Sequence, residues 1–180
     1  MTHHSVTSRM TKGSVPARAA IDPTMFRGAL GLFATGVTIV TACHPQAGLI
    51  GITANSFNSV SLDPPLVLFS VANSTRSLPA FLEAPGFAVN VLRKDQKLLS
   101  SRFARQGSDK WSGVPYESGR FGAPLLPGTM AAFDCVHHAQ HEGGDHLIIV
   151  GRVVAMEHDV EGDPLLFYRG RYRTLGDEIS

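Results

Sequence analysis

The chain has 180 residues, a length that suits one domain with a core large enough to fold without disulfide bonds or structural metal ions. Apolar residues make up 43% of it and charged residues 17%, which is the composition of a globular protein, and 16 basic side chains nearly balance 15 acidic ones. A net charge of +1 argues against nucleic acid as the main partner, and no run of about 18 apolar residues predicts a membrane-spanning helix.

The cysteines indicate the cellular compartment, and the terminal segments indicate the limits of the domain. Cys43 and Cys135 lie far apart and form no CxxC pair, which is typical of free thiols in a reducing cytoplasm. Residues 1–21 carry three basic side chains, no acidic one and no sustained apolar run, so they do not form a secretory signal. We interpret them as a disordered tail, with an organelle-targeting peptide as the alternative. A single domain is expected over residues 22–175, followed by a short tail at 176–180.

The N-terminal part predicts a helix followed by a β-hairpin. Asp22 followed by Pro23 marks a helix start, and apolar residues then recur at helical spacing until Gly36 ends the pattern. Residues 37–42 and 49–53 are β-branched segments separated by a short polar turn. They predict an antiparallel pair of strands.

The middle of the chain continues with alternating strands and short helices. Residues 66–71 are almost entirely apolar, and we expect a strand that is buried on both faces. Ser74 or Thr75 can cap the short helix that follows. Residues 86–92 then predict a further strand.

The rest of the chain is predicted to be mostly β. Asp95 can cap a helix that is expected to end near Gly107, and a mostly irregular loop is expected at 108–128. Residues 129–140 and 146–156 are strand-like and are joined across a Gly-Gly pair, which predicts a second hairpin. A last strand is expected at 165–172.

Six or seven strands, connected mainly by hairpins, favour a closed β-barrel over a doubly wound α/β sheet. The sequence contains no glycine-rich dinucleotide fingerprint after a strand, no P-loop, and no zinc-protease or serine-hydrolase motif. The common nucleotide-binding folds and hydrolases are therefore disfavoured.

Two polar segments at strand ends are candidates for binding a cofactor. Short hydroxyl and amide side chains in residues 51–61 can hydrogen-bond to a flavin ring, its ribityl chain or a phosphate, although a simple polar turn is the alternative. Residues 70–77 place small hydroxyl groups and Arg76 at a helix start, which predicts either a phosphate site or an ordinary capped helix. Arg102 and Phe103 add a second cation and an aromatic ring near the end of the next helix.

Histidines and interleaved aromatics mark two further candidate segments. Four histidines lie within 137–146, but the first two are adjacent and point to opposite faces of a strand, so no metal site is expected. His146 begins a strand after a tight turn, next to Asp145, where it can contact a nicotinamide or simply be exposed. Residues 164–172 alternate aromatics with arginines, which suits ring stacking and phosphate binding or a strand with a charged outer face.

Taken together, these segments resemble the flavin reductase-like family, which includes the small reductase components of two-component flavin-dependent monooxygenases. The resemblance extends from about residue 22 to residue 175. It is carried, in this order, by FATGVTIVT at 33–41, TANSF at 53–57, SLDPPLV at 61–67, FAVNVL at 87–92, GGDH at 143–146 and YRGRY at 168–172.

The resemblance implies a mainly β fold with a few helices, a split β-barrel that forms a homodimer and binds FMN or FAD. It implies reduction of that flavin by NADH or NADPH, with a flavin-dependent monooxygenase as the recipient of the reduced flavin. His146, and with less support Tyr172, match positions that meet the nicotinamide. With Gly51 of the first polar segment added, the expected cofactor-binding residues are Gly51, Thr53, Asn55, Ser56, Ser70, Val71, Ala72, Arg76, Ser77, Arg102, Phe103 and Tyr172.

The implied chemistry requires little of the protein, because hydride passes from nicotinamide C4 to flavin N5 and the cofactor supplies the reactivity. The protein has to hold the two rings face to face and stabilise the charge of the reduced flavin. Two other functions remain compatible with the same residues. One is a flavoprotein reductase of another acceptor, such as a cobalt corrinoid, and the other is a non-catalytic flavin- or haem-binding module.

Overall fold

The computed structural model describes residues 20–107 and 109–177, so most of the predicted N-terminal tail and the end of the predicted C-terminal tail lie outside it. In the described part, helices form at α1 (Pro23–Leu30), α2 (Leu78–Glu83) and α3 (Lys97–Ala104), and none is long and apolar enough to cross a membrane. The strands are β1 (Thr35–Gly36), β2 (Thr38–His44), β3 (Gly48–Ala54), β4 (Asn58–Leu62), β5 (Pro65–Ala72), β6 (Phe87–Val91), β7 (Glu117–Ser118), β8 (Pro124–Leu125), β9 (Ala131–Gly143), β10 (His146–His158), β11 (Leu166–Tyr168) and β12 (Arg171–Arg173).

Seven of these strands form one sheet in the order β3-β2-β6-β9-β10-β5-β4, with every neighbouring pair antiparallel. The predicted hairpins β2–β3 and β9–β10 are confirmed. The sheet brings β3 near β5, but these strands are not paired in the described residues. The closed barrel expected from the hairpins is therefore wrong, because after Ala54 the chain forms β4 against the free edge of β5. The sheet is a split barrel, as the resemblance implies.

The shorter strands correct the prediction at the C-terminus. Residues 165–172 form a hairpin of β11 and β12 rather than one strand, because Arg169 and Gly170 both have positive φ, 50° and 72°, and turn the chain. These two strands form a three-stranded sheet with β1. The predicted loop at 108–128 is mostly irregular and contains the small β7–β8 pair.

Two apolar clusters fill the interior of the protein. The larger includes Phe69, whose ring packs edge to face against Phe81 and Phe87 at centroid distances of 6.3 and 5.2 Å. The smaller includes Leu92 and Phe103 and involves β2, α3 and the β11–β12 hairpin. Burying a phenylalanine side chain contributes about 1.5–3 kcal/mol. The burial of Phe103 therefore holds the end of α3 against the middle of β3.

Helix α1 begins as predicted, because the Asp22 side chain accepts a hydrogen bond from the Met25 N–H at 2.8 Å. It ends at Leu30 and not at Gly36, because Thr35 and Gly36 pair with β11 and leave the helical path. The apolar side chains that recur at helical spacing are exposed along the whole helix.

Strand β5 and the two later helices also differ from expectation. In β5, Val67, Phe69 and Val71 are buried and alternate with partly exposed residues, so burial on both faces is wrong, because β5 lies next to the edge strand of the sheet and packs one face on the core. Ser77, and not Ser74 or Thr75, precedes α2 as its N-cap. Asp95, the expected cap of α3, lies inside a 3-10 turn at Lys94–Gln96, and α3 therefore begins only at Lys97.

Candidate functional site

The opening between β3 and β5 forms a cavity of about 930 Å³, within the range of small-molecule sites. We call its two sides the β3 wall, formed by residues within 47–56 and 103–107 together with Lys110 and Trp111, and the β5 wall, formed by residues within 70–80. His146, at the start of β10, also lines it. The cavity brings together eleven of the thirteen predicted site residues, namely Gly51, Thr53, Asn55, Ser56, Ser70, Val71, Ala72, Arg76, Ser77, Phe103 and His146.

Two predicted hydroxyl groups shape the cavity by bonding to the protein itself. The Ser56 hydroxyl donates to the Ser70 carbonyl at 3.1 Å and accepts from the Ser70 N–H at 3.0 Å, so it links the two walls where no strand pairing occurs. The Thr53 hydroxyl donates to the Ser100 carbonyl at 2.6 Å and ties β3 to α3. These side chains therefore hold the walls in place and have less capacity left for a ligand.

Other polar side chains remain available to a bound molecule. Asn55 is exposed, and its amide has no hydrogen-bond partner among the described residues. On the β5 wall the side chains of Thr75, Arg76 and Ser77 also have no hydrogen-bond partner within the part of the chain that the structure describes, with Arg76 exposed and the other two half-buried. Amide, hydroxyl and guanidinium groups together can satisfy both the ring edge and the phosphate of a nucleotide.

The charge of the cavity is one-sided. Arg76, Arg105 and Lys110 line it, whereas no Asp or Glu is found among its described lining residues. Cations without neighbouring acids in a partly enclosed site attract anionic ligands. The cavity is therefore suited to a phosphate-bearing molecule.

His146 is oriented by the turn that precedes it. Its Nδ1 lies 2.7 Å from the Asp145 carboxylate, and the turn is held by Asn73, whose backbone N–H and side-chain amide donate to the carbonyls of Asp145 and Gly144. An ionised carboxylate can only accept, so a hydrogen bond in this pair comes from Nδ1–H, and this bond lowers the pKa of Asp145. The imidazole is about half exposed at the edge of the cavity.

Gly51 allows the aromatic part of the β3 wall to form. A Cβ atom at this position would overlap the Phe103 ring and lie 3.1 Å from the Trp111 ring. The two rings meet edge to face at a centroid distance of 4.8 Å. A glycine is thus required because the rings lie directly against the backbone of β3.

The segment after α3 also contributes to the cavity and was not predicted as part of the site. Lys110 donates from Nζ to the carbonyls of Phe103 at 2.9 Å and Gly51 at 3.1 Å, and burial lowers its pKa. Trp111 and Arg105 also line the cavity. The one available signal was a basic residue beside the single tryptophan of the chain, inside a segment that has no regular pattern.

Arg102 and Tyr172 lie outside the cavity. The Arg102 guanidinium donates to the Ser112 carbonyl at 2.9 Å and faces a smaller cavity of about 370 Å³. The Tyr172 hydroxyl is 2.9 Å from the Ser100 hydroxyl, behind the β3 wall. Their assignment as cofactor contacts stays a prediction.

A split barrel whose opening holds a cavity lined by cations, with no acid among its described lining residues, is typical of proteins that bind anionic, nucleotide-like molecules. Residues 30–176 match the family model of the flavin reductase like domain, which covers most of the chain. The chain belongs to the flavin reductase-like family.

Individual relatives indicate the activities found within this family. The FMN reductase (NADH) SmoA of Agrobacterium fabrum is 52% identical over 147 residues, which cover 82% of this chain and 83% of that protein. The reductase subunit HsaB of a flavin-dependent monooxygenase from Rhodococcus jostii is 41% identical over 165 residues, 92% of this chain and 84% of that protein. The structure of SgcE6, an NADH:FAD oxidoreductase of Streptomyces globisporus with NAD and FAD fragments, has a TM-score of 0.83 at 36% identity and covers 91% of this chain and 100% of that one. The family predicted from the sequence is confirmed.

Proposed function

We propose that the cavity between β3 and β5 is the place where NADH or NADPH reduces FMN or FAD. As a member of its family, the chain is an NAD(P)H:flavin oxidoreductase. The location rests on one observation: eleven of the thirteen predicted site residues line a single cavity that is lined by cations and by no described acid. When bound, the flavin accepts the hydride of the nicotinamide, so the protein needs no acid–base pair.

The β5 wall is proposed to hold the phosphate. Arg76 is exposed at the cavity, and the hydroxyls of Thr75 and Ser77 flank it in sequence. A guanidinium and two hydroxyls can surround a phosphate with charge-assisted hydrogen bonds. The Asn55 amide, across the opening, can pair with the donor and acceptor edge of the flavin ring.

The remaining groups are proposed to orient the rings and exclude water. Phe103 and Trp111 give the β3 wall a flat apolar surface against which an aromatic ring can lie. His146, held by Asp145, is proposed to contact the nicotinamide at the mouth of the cavity. Both roles concern orientation, which is the main contribution a protein makes when the cofactors carry the chemistry.

The reduced flavin is proposed to pass to a separate flavin-dependent monooxygenase. Relatives at about 40% identity, including HsaB, are named as reductase subunits of such enzymes, which supports this recipient. Both cysteines are free thiols, which supports a reducing cytoplasm as the location.

A homodimer is proposed because α1 and the segment after it expose an apolar surface. Met25, Phe26, Leu30 and Phe33 are 75%, 54%, 59% and 76% exposed in the single chain. Several large apolar side chains exposed within one short segment are a common mark of an interface. Light scattering after size exclusion is expected to give twice the mass of the chain, and Phe33→Asp is expected to shift it toward one chain. A monomeric wild type contradicts the dimer.

The function is tested by anaerobic reduction of added FMN and FAD with NADH and with NADPH. The flavin absorbance is expected to bleach within minutes for at least one pair, and oxygen is expected to restore it. A purified chain that binds flavin but leaves it oxidised in the presence of both nicotinamides contradicts the proposal. Corrinoid reduction without any turnover of free flavin also contradicts it.

A further inference from the structure

Lys110 differs from every other cation of the cavity in how it is held. Its ammonium group donates to the Phe103 carbonyl at 2.9 Å and to the Gly51 carbonyl at 3.1 Å, so it joins the end of α3 to the middle of β3. Arg76 and Arg105, in contrast, are exposed. An ammonium group has three N–H donors, and two main-chain acceptors leave one of them over.

No carboxylate neutralises this charge within the described residues. Lys110 takes part in no ion pair there, and the neighbouring Asp109 accepts instead from the Ser112 N–H at 3.0 Å. Burial lowers the pKa of the lysine, which reflects the cost of holding a charge away from water. An anion bound beside Lys110 removes that cost, because a partly buried charge is stabilised by a hydrogen-bonded counter-charge.

We propose that Lys110 is an anion-binding residue of the cavity, whose ammonium group holds a negatively charged part of the bound flavin. That part is either the phosphate of the flavin nucleotide or the anionic ring of the reduced flavin, and both offer acceptors to an N–H donor. The inference rests on the proposed use of the cavity for flavin. It adds a binding residue that none of the sequence motifs contains.

A purely structural role is the competing explanation, because the two carbonyl contacts alone would hold the wall together. The structural role and the anion-binding role are distinguished by changing the charge of the side chain and by changing the charge of the ligand. Lys110→Met keeps the length and apolar stem of the side chain and removes the charge, whereas Lys110→Arg keeps the charge. Lys94→Met is the matched control, because Lys94 is exposed and pairs with Asp163, away from the cavity residues.

The test measures anaerobic dissociation constants of the full chain for FMN and for riboflavin, each oxidised and reduced. Loss of a charge-assisted hydrogen bond is expected to weaken binding roughly 10- to 100-fold. If Lys110 binds the phosphate, Lys110→Met is expected to weaken the binding of FMN and to leave the binding of riboflavin unchanged. If Lys110 binds the ring, the variant is expected to weaken the binding of both reduced flavins and to leave that of both oxidised flavins unchanged. Lys110→Arg is expected to recover most of the affinity, and Lys94→Met to bind as the wild type does.

Two results overturn the inference. One is a Lys110→Met variant with wild-type affinity for all four flavin forms. The other is an equal loss for all four forms that Lys110→Arg does not recover, which assigns the lysine to the wall alone. A wild-type chain that binds no flavin instead refutes the proposed function, and the two failures are therefore distinguishable.

Discussion

The two walls of the cavity use their polar groups in opposite ways. On the β3 wall, the Thr53 hydroxyl and the Lys110 ammonium bond to main-chain carbonyls within the protein. On the β5 wall, the side chains of Thr75, Arg76 and Ser77 have no hydrogen-bond partner in the described part of the chain. The hydroxyls of Thr53 and Ser56 thus organise the β3 wall before any ligand arrives, whereas the β5 wall keeps its donors for the ligand. Only the Asn55 amide and the third N–H of Lys110 are left for a ligand among the polar groups of the β3 wall discussed above. Substitutions that disturb the internal contacts of the β3 wall should therefore reduce stability first, and substitution of Arg76 on the β5 wall should reduce affinity alone.

The largest effect is expected from Gly51→Val on the β3 wall. The added side chain overlaps the Phe103 ring, so the ring must leave its position or the strand must shift. Overpacking of this kind costs about 1–3 kcal/mol of unfolding free energy, and flavin affinity should fall with it. Urea unfolding and flavin fluorescence titration measure the two quantities.

Gly36→Ala is the control for this substitution, because no atom lies within 4 Å of a Cβ built at that position. It should change stability little. Equal destabilisation by the two variants contradicts the role given to the close approach of Phe103 to β3.

Arg76→Met tests the β5 wall and should separate affinity from stability. Removing the guanidinium is expected to weaken binding of FMN roughly 10- to 100-fold while the unfolding free energy changes by less than about 0.5 kcal/mol. Arg152→Met, an exposed position on β10, is the matched control. Unchanged affinity for FMN in Arg76→Met at low salt removes Arg76 from the phosphate site.

Ser56→Ala should affect stability more than affinity, because the hydroxyl bonds to both backbone groups of Ser70. Losing these bonds in a partly exposed place is expected to cost about 1 kcal/mol, as measured by urea unfolding. Ser59→Ala, an exposed position on β4, provides the comparison. If Ser56→Ala is as stable as Ser59→Ala, the bridge between the walls contributes nothing.

The smallest effect is expected for His146→Ala at the mouth of the cavity. KM for the nicotinamide should rise severalfold with flavin affinity unchanged, because His146 is proposed to meet the nicotinamide only. The pKa of Asp145, which the His146 hydrogen bond holds below its ordinary value of 3.8, should rise toward that value in a carboxyl NMR titration. A carboxyl group whose pKa is lower in the folded than in the unfolded state stabilises the fold at any pH above its unfolded pKa. The contribution of Asp145 to stability is therefore lost only as the pH falls through its lowered pKa.

His158→Ala, on an exposed part of β10, serves as the control for both measurements. An unchanged KM for NADH and NADPH in His146→Ala contradicts the nicotinamide contact. An unchanged pKa of Asp145 in that variant contradicts the hydrogen bond on which the orientation of the ring depends.

The candidate site was largely predictable because its parts are short and local. The polar residues after β3 and β5 interrupt apolar strands, and such interruptions stand out within a few residues of sequence. Lys110 could not be predicted in the same way. It lies in an irregular segment, and its partners Gly51 and Phe103 are brought to it by the packing of α3 on β3.

The sequence by itself determined the longer strands, the two hairpins, the N-cap of α1 at Asp22 and the family, because alternation, turn residues and caps act over neighbouring positions. It did not predict the short strands β1, β7 and β8, nor β4. Only the tertiary structure decided that β3 and β5 stay unpaired while β4 adds to the free edge of β5, that α1 ends at Leu30, and that Arg102 and Tyr172 lie outside the cavity. These outcomes depend on which distant segments compete for the same strand edge or core position. That competition is settled by register and packing between residues far apart in the chain, which local patterns do not encode.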